Sequence, residues 1–139
     1  MITIIATIKP EHLGNIRRGI KLYEMRKTCP KEVPFRVLCC ESGSGGQIKA
    51  EFTCRYIYTN EKVRQAAGLV KDSCVTMEQA EAYAKGKPVH FWRVSEVIDY
   101  CSVKGQRVRN VSEFGLKRAP QSWCYVKEIR DDETCSDRR

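Results

Sequence analysis

Gly19-Ile20-Lys21-Leu22-Tyr23-Glu24-Met25-Arg26-Lys27 is the stretch from which the rest of the chain is best read. Successive side chains of a strand point to opposite faces. Tyr23 and Met25 therefore share one face, and Glu24 and Arg26 share the other with Leu22. Lys21, Glu24 and Arg26 put two cations and a carboxylate into one short segment. A flexible ammonium and a planar guanidinium both grip phosphate, and Glu24 can accept from base amino groups or hold the two cations in place. On the pattern alone, an internal ion pair on a solvated strand face is the better reading.

Upstream, Ile2–Ile8 reads as a strand and residues 10–20 as a short helix. Pro10 suits the first helical turn. Leu13, Ile16 and Ile20 recur at helical spacing, and Gly19 is the expected stop. Downstream, Phe35 to Glu41 and a long strand from Gln47 to Tyr58 form a hairpin around Ser42-Gly43-Ser44-Gly45-Gly46, a tip with no Gly-Lys-Ser/Thr phosphate-loop ending.

Asn60 is the expected cap of a short helix ending before Gly68. Thr76, with Gln79 three residues on, signals a better helix by its capping box, with Met77, Ala80 and Ala84 on its apolar side and Gly86 after it. Val89 to Tyr100 is β-rich, with a break expected at Ser95-Glu96. Residues 102–121 read as irregular and basic, and Ser122 to Ile129 as the last strand. These elements make one domain over residues 1–130, with 131–139 a polar, flexible C-terminal tail.

The 139 residues are 42% apolar and 30% charged, the balance of a globular domain with a real core. No apolar run approaches the roughly 18 residues of a membrane span, and the opening run lacks the basic flank of a signal peptide. Eight cysteines occur, at positions 29, 39, 40, 54, 74, 101, 124 and 135, with no CxxC pair. Free thiols in a reducing, cytoplasmic setting fit these spacings better than a disulfide framework. The formal net charge is +8. Its excess sits in residues 1–36, with eight Lys/Arg against three acids, and in residues 101–120, with five against one. If folding joins the two segments they form one surface for a polyanion.

The Gly-x-Lys-x-x-Glu-x-Arg run after a short helix resembles the signature of the ASCH family. The glycine-containing hairpin from Val37 through Phe52 is similar to the family's next part. So are Tyr83-Ala84-Lys85-Gly86 at a helix end and the late Ala119-Pro120-Gln121-Ser122-Trp123. The resemblance spans roughly residues 4–127. It implies an α+β fold, a PUA-like β-barrel of about six strands flanked by two to three short helices, with the Lys-x-x-Glu-x-Arg strand lining a cleft. It also implies an RNA or nucleotide partner, no cofactor and no membrane association. A related bacterial branch hydrolyses the acetyl amide of N4-acetylcytidine, and another member is associated with RNA cleavage, so an enzyme is the alternative. In the hydrolase branch a Lys and a Thr on this strand work with a distant acid. Lys21 matches the Lys, Glu24 stands where the Thr would be, and Asp72 lies roughly where the acid is expected.

The candidate binding residues are thus Lys21, Glu24 and Arg26, with Arg17, Arg18 and Lys27 flanking them as a phosphate track. From the second basic segment come Lys117 and Arg118, with Gln121 and Ser122 as neutral groups able to read a base edge, and Trp123 as a stacking ring. For each flanking cation an ordinary solvated side chain is the better reading on the pattern alone. Tyr56, Tyr58 and Trp92 are read as core or barrel residues. His12 and His90 are the only histidines, neither beside another ligand in sequence, so no metal site is expected.

Overall fold

The computed structural model describes residues 1–127. Strand β1 (Ile2–Ile8), rich in β-branched residues, lies inside the larger of two sheets. It pairs in parallel with β3 (Phe35–Glu41), Ile4 opposite Val37. The parallel crossover carries α1 (Pro10–Arg17) and β2 (Tyr23–Arg26). α1 buries Leu13 and Ile16 but ends at Arg17, and Gly19 takes φ +75. That turn throws Ile20 off the apolar stripe, leaving it 55% exposed.

β3 forms the predicted hairpin with β4 (Gln47–Cys54). Gly46, at its tip, is required: φ is +89, and a Cβ there would lie 2.8 Å from Val111. The long strand predicted to run to Tyr58 is two strands. After Cys54 the chain leaves the larger sheet at Arg55 and Tyr56 and re-enters the smaller one as β5 (Ile57–Asn60). β6 (Val89–Arg93) and β7 (Ser95–Asp99) make the reverse switch at Val94, one residue before the predicted break. The bond from Val94 N–H to Leu22 C=O marks this corner.

The larger sheet runs β7-β4-β3-β1-β9, where β9 is Trp123–Val126, and the two-residue β8 (Arg109–Asn110) pairs with β4. The smaller runs β2-β6-β5. The expected barrel of about six strands is therefore corrected to nine strands in two sheets, with no closed barrel among the described residues. The reason is local. β2 makes no backbone ladder with β1 or β9; the Arg26 side chain spans that gap, donating from Nη2 to Thr7 C=O (2.8 Å) and from Nη1 to Ser122 C=O (3.3 Å).

The Asn60 cap is also corrected. Asn60 ends β5, a short 3-10 helix covers Val63–Gln65, and α2 (Ala67–Asp72) runs straight through Gly68. α3 (Met77–Ala84) has the full Thr76/Gln79 capping box, stops at left-handed Lys85, and buries Ala80 and Ala84. Residues 102–121 are less irregular than predicted, holding β8 and a 3-10 helix, Val111–Phe114.

One core cluster, with Ile4, Leu13, Val37, Phe52 and Trp92, fills the space between the sheets and α1. A second, with Val70, Ala80, Val89 and Phe91, seats α2 and α3 on the other face of the smaller sheet. A third, with Ile5, Leu38, Ile48 and Val111, lies beneath residues 100–120. The described cysteines are unbonded; Cys135 and the predicted 131–139 tail lie outside the described residues. No helix among the described residues is long and apolar enough to cross a membrane.

Candidate functional site

The inward face of β2 opens on a cavity of about 550 Å³, a size typical of small-molecule sites. Its wall is assembled from three stretches distant in sequence: Thr7, Ile8 and Lys9 at the end of β1 with Glu11 and His12 on α1; Lys21, Glu24, Met25 and Arg26; and Val75, Gln79 and Tyr83 around α3. Gln121 and Ser122, just before β9, close it. The late segment reaches this place because Thr7 holds it. Thr7 Oγ1 donates to Pro120 C=O at 2.6 Å, and Thr7 N–H to Ser122 C=O at 2.9 Å.

Lys21, Glu24 and Arg26 are all buried, at 3%, 6% and 8% exposure. Such charges are tolerable only when paired and hydrogen-bonded. Arg26 donates from Nε to Glu24 Oε2 at 2.8 Å, with Nη2 at 2.7 Å from the same oxygen. Its other bonds go to Thr7 C=O, Ser122 C=O and Ser122 Oγ (3.2 Å), and its guanidinium carbon lies 5.8 Å from the Trp92 ring centroid. All of the guanidinium nitrogens are thus engaged within the protein. Lys21 Nζ faces the Ser73 carbonyl, to which it donates, Glu24 Oε1 at 3.5 Å and His12 Nδ1 at 3.4 Å. An ammonium has three N–H bonds, and three acceptors surround this one. A lysine that attacks or takes up a proton must present a free lone pair, whereas this Nζ is turned to three protein acceptors.

The lining carries three cations, Lys9, Lys21 and Arg26, against two carboxylates, Glu11 and Glu24. The lining thus keeps a small positive excess, and on the floor Glu24 is shared between Lys21 and Arg26. Burial would push the Glu24 carboxyl up, but Arg26, Lys21 and His12 together hold it below its ordinary value. Glu51, likewise buried, is held down by Arg36 and Tyr100. A carboxyl depressed by folding contributes stability above its unfolded pKa, near 4.5, and loses it as pH falls through the folded value. Urea midpoints should begin to fall gently below about pH 6.5, where His12 stays neutral in the fold while the unfolded chain takes up a proton, and then steeply below about pH 4.5 as the carboxyls protonate. A midpoint unchanged at about pH 3 would contradict this pairing.

The other candidates divide. Gln121 and Ser122 line the cavity. Lys27 stands beside it, its Nζ 4.9 Å from the Tyr83 ring centroid, while its backbone hydrogen-bonds the Tyr83 phenol. Arg17 is not brought in; it pairs with Asp99 at 3.0 Å. Arg18 bonds Asn15 at the helix end. Lys117 and Arg118 are exposed and outside the lining. Trp123 packs on the core and donates from Nε1 to Thr28 Oγ1 at 2.9 Å. Asp72 is not in the lining either: its C=O accepts from Leu22 N–H, and its charge acts on Tyr23, on the opposite face of β2.

His12 and Tyr83 were not singled out by the sequence. Tyr83 stood in the Tyr-x-x-Gly pattern at the α3 end. His12 carried no local motif; only the helix placed just before the Lys–Glu–Arg strand hinted at it. Among the described residues no group of three or more His, Cys, Asp or Glu side chains is placed to hold a metal ion.

The fold is similar to solved structures of an ASCH protein from Zymomonas mobilis. One covers 96% of this chain and 91% of its own, at 16% identity and a TM-score of 0.70. Two point-mutant forms of that protein give 16% identity with a TM-score of 0.71 and 15% with 0.70, again over 96% of this chain and over 94% and 92% of theirs. No protein-family model and no curated protein sequence matches the chain. The chain has the fold of these ASCH structures.

Proposed function

We propose that this ASCH-type fold binds one nucleotide unit, free or within single-stranded RNA, with the base in the cavity and the phosphates at its mouth. The observation that carries the reading is the division of polar groups around the cavity. Its buried cations turn their donors to protein acceptors, so they shape the floor rather than present themselves to a phosphate. The groups still available are neutral or acceptor groups suited to a base edge: the far nitrogen of His12, Glu24 Oε1, the Gln121 amide and the Tyr83 hydroxyl. At the rim, Lys9 and Lys27 carry no ion pair among the described residues and suit phosphate oxygens. Hydrolysis of an N4-acetylcytidine amide, the alternative raised by the resemblance, is not favoured, because the Lys21 amine is wholly engaged; no cytidine should appear on incubation with that nucleoside.

Calorimetric titration with the four ribonucleoside 5′-monophosphates and a short single-stranded RNA tests the reading. RNA affinity should fall with salt, and replacing both Lys9 and Lys27 by glutamine should reduce the logarithmic salt slope by about 0.7 per lysine. Nucleoside affinity should be almost unchanged in the double variant. If neither RNA nor any monophosphate binds in low salt, the proposal fails.

A further inference from the structure

We propose that Lys21 locks His12 into a single tautomer, making its Nε2–H the donor with which the cavity reads a neutral acceptor atom on a base. The identity of the ligand rests on the nucleotide reading above; the lock itself does not.

An ammonium has donors only, so its contact with His12 Nδ1 at 3.4 Å is a donation to that nitrogen's lone pair. A neutral imidazole whose Nδ1 accepts carries its hydrogen on Nε2. Nε2 meets no protein acceptor among the described residues, and His12 lines the cavity half-buried. The ring is thus aimed by one nitrogen and left with an uncommitted N–H at the other. Lys21 is itself fixed by Ser73 C=O and Glu24, so the orientation is passed from the end of α2 and from β2 to α1.

The charged groups acting on His12 are Lys21 and Glu24 from the β2 segment, and Glu11 and Lys9 from its own helix and the residue before it. Tyr83 and Arg26 lie further along the same lining. Burial, then the Lys21 charge, hold the imidazole below its ordinary pKa, against the opposing pull of Glu24 and Glu11. The neutral form therefore prevails at pH 7. Protonation would turn an N–H toward the ammonium and break the lock.

Beside this donor, Glu24 Oε1 meets only Lys21 among the described residues, at 3.5 Å, and keeps lone pairs for a second contact. A donor and an acceptor flanking Lys21 match a base edge with an N–H next to a carbonyl oxygen or ring nitrogen.

The lock is tested without ligand by long-range proton–nitrogen NMR on nitrogen-15-labelled protein. At about pH 7 wild-type His12 should be the Nε2–H tautomer, and Lys21→Met should relax the bias. An Nδ1–H tautomer or an imidazolium in the wild type overturns the lock, whatever binds; should Lys21→Met not fold, the wild-type spectrum still decides. The donor role is tested with uridine, cytidine, adenosine and guanosine, none of which changes charge between about pH 5 and about pH 7. For the tightest of them, wild-type affinity should fall with pH through the His12 pKa that NMR measures. His12→Ala should lose about tenfold, the worth of about one good hydrogen bond. His12→Gln, which carries an amide N–H near the Nε2 position, should keep affinity and lose the pH dependence. Equal, pH-independent affinity in wild type and His12→Ala overturns the donor role. Binding by none of the four nucleosides overturns the base-reading part along with the nucleotide reading, and leaves the lock to the spectra.

Discussion

Arg26→Ala is expected to cost about 3–5 kcal/mol of folding stability, the largest loss of any single change at the cavity. Most of that cost comes from what is left behind. Glu24 would stay fully buried, facing Lys21 alone. Thr7 C=O and Ser122 C=O would each lose a donor at the seam where β2 has no backbone ladder to β1 or β9. Arg26→Lys should recover little, since one ammonium cannot reach all of these acceptors from one geometry. Combining Glu24→Leu with Arg26→Met removes the orphaned carboxylate but takes from Lys21 its ion-pair partner, so it should recover only part of the Arg26→Ala loss. Urea denaturation of the three variants decides the point; an Arg26→Ala loss under about 1 kcal/mol, the worth of a solvated pair, would show that the guanidinium is not the bridge described here.

Trp92→Ala is expected to cost a similar amount, about 3–5 kcal/mol, by opening a cavity between the two sheets. Trp92 is fully buried, packs edge-on to Phe35 with ring centroids 5.2 Å apart, and lies beneath the Arg26 guanidinium. Its indole Nε1 nevertheless has no hydrogen-bond partner among the described residues. A buried donor left unmade costs about 1–3 kcal/mol. Trp92→Phe removes that donor while keeping most of the ring, so its measured loss should be well under half that of Trp92→Ala. A Trp92→Phe loss as large as that of Trp92→Ala would mean that the indole makes a contact that ring volume alone does not replace, and would contradict the unmet Nε1–H.

Local rules read much of the fold correctly. The strand alternation around Glu24 and Arg26, the β3–β4 hairpin and the Thr76/Gln79 cap are all properties of neighbours in sequence, and each holds in the structure. What local rules missed is where strands change sheets. Nothing in Cys54-Arg55-Tyr56-Ile57 marks a corner, because the corner is made by Arg93 N–H donating to Tyr56 C=O at 3.2 Å, a partner far along the chain. The cavity divides the same way. Lys21, Glu24 and Arg26 could be named from one strand, whereas His12 becomes visible only when α1 packs above it. Arg17 was nominated for its charge but is turned aside by Asp99, a contact no spacing announces. Arg26 itself, expected to be a hand for phosphate, has every guanidinium nitrogen occupied inside the protein.

Strand β1 gains its second neighbour from the far end of the described chain, with Ile4 opposite Tyr125 and Ala6 opposite Trp123. Closing so long a loop is entropically slow, and pairings of this kind come late. On a ribosome, synthesis supplies β1 first and β9 last, so the emerging polypeptide waits with one flank of β1 bare. Gln121 and Ser122 reach the cavity on the same late segment. A nascent chain halted short of about residue 120 should therefore be unable to hold a ligand and should be prone to aggregation through that uncovered flank.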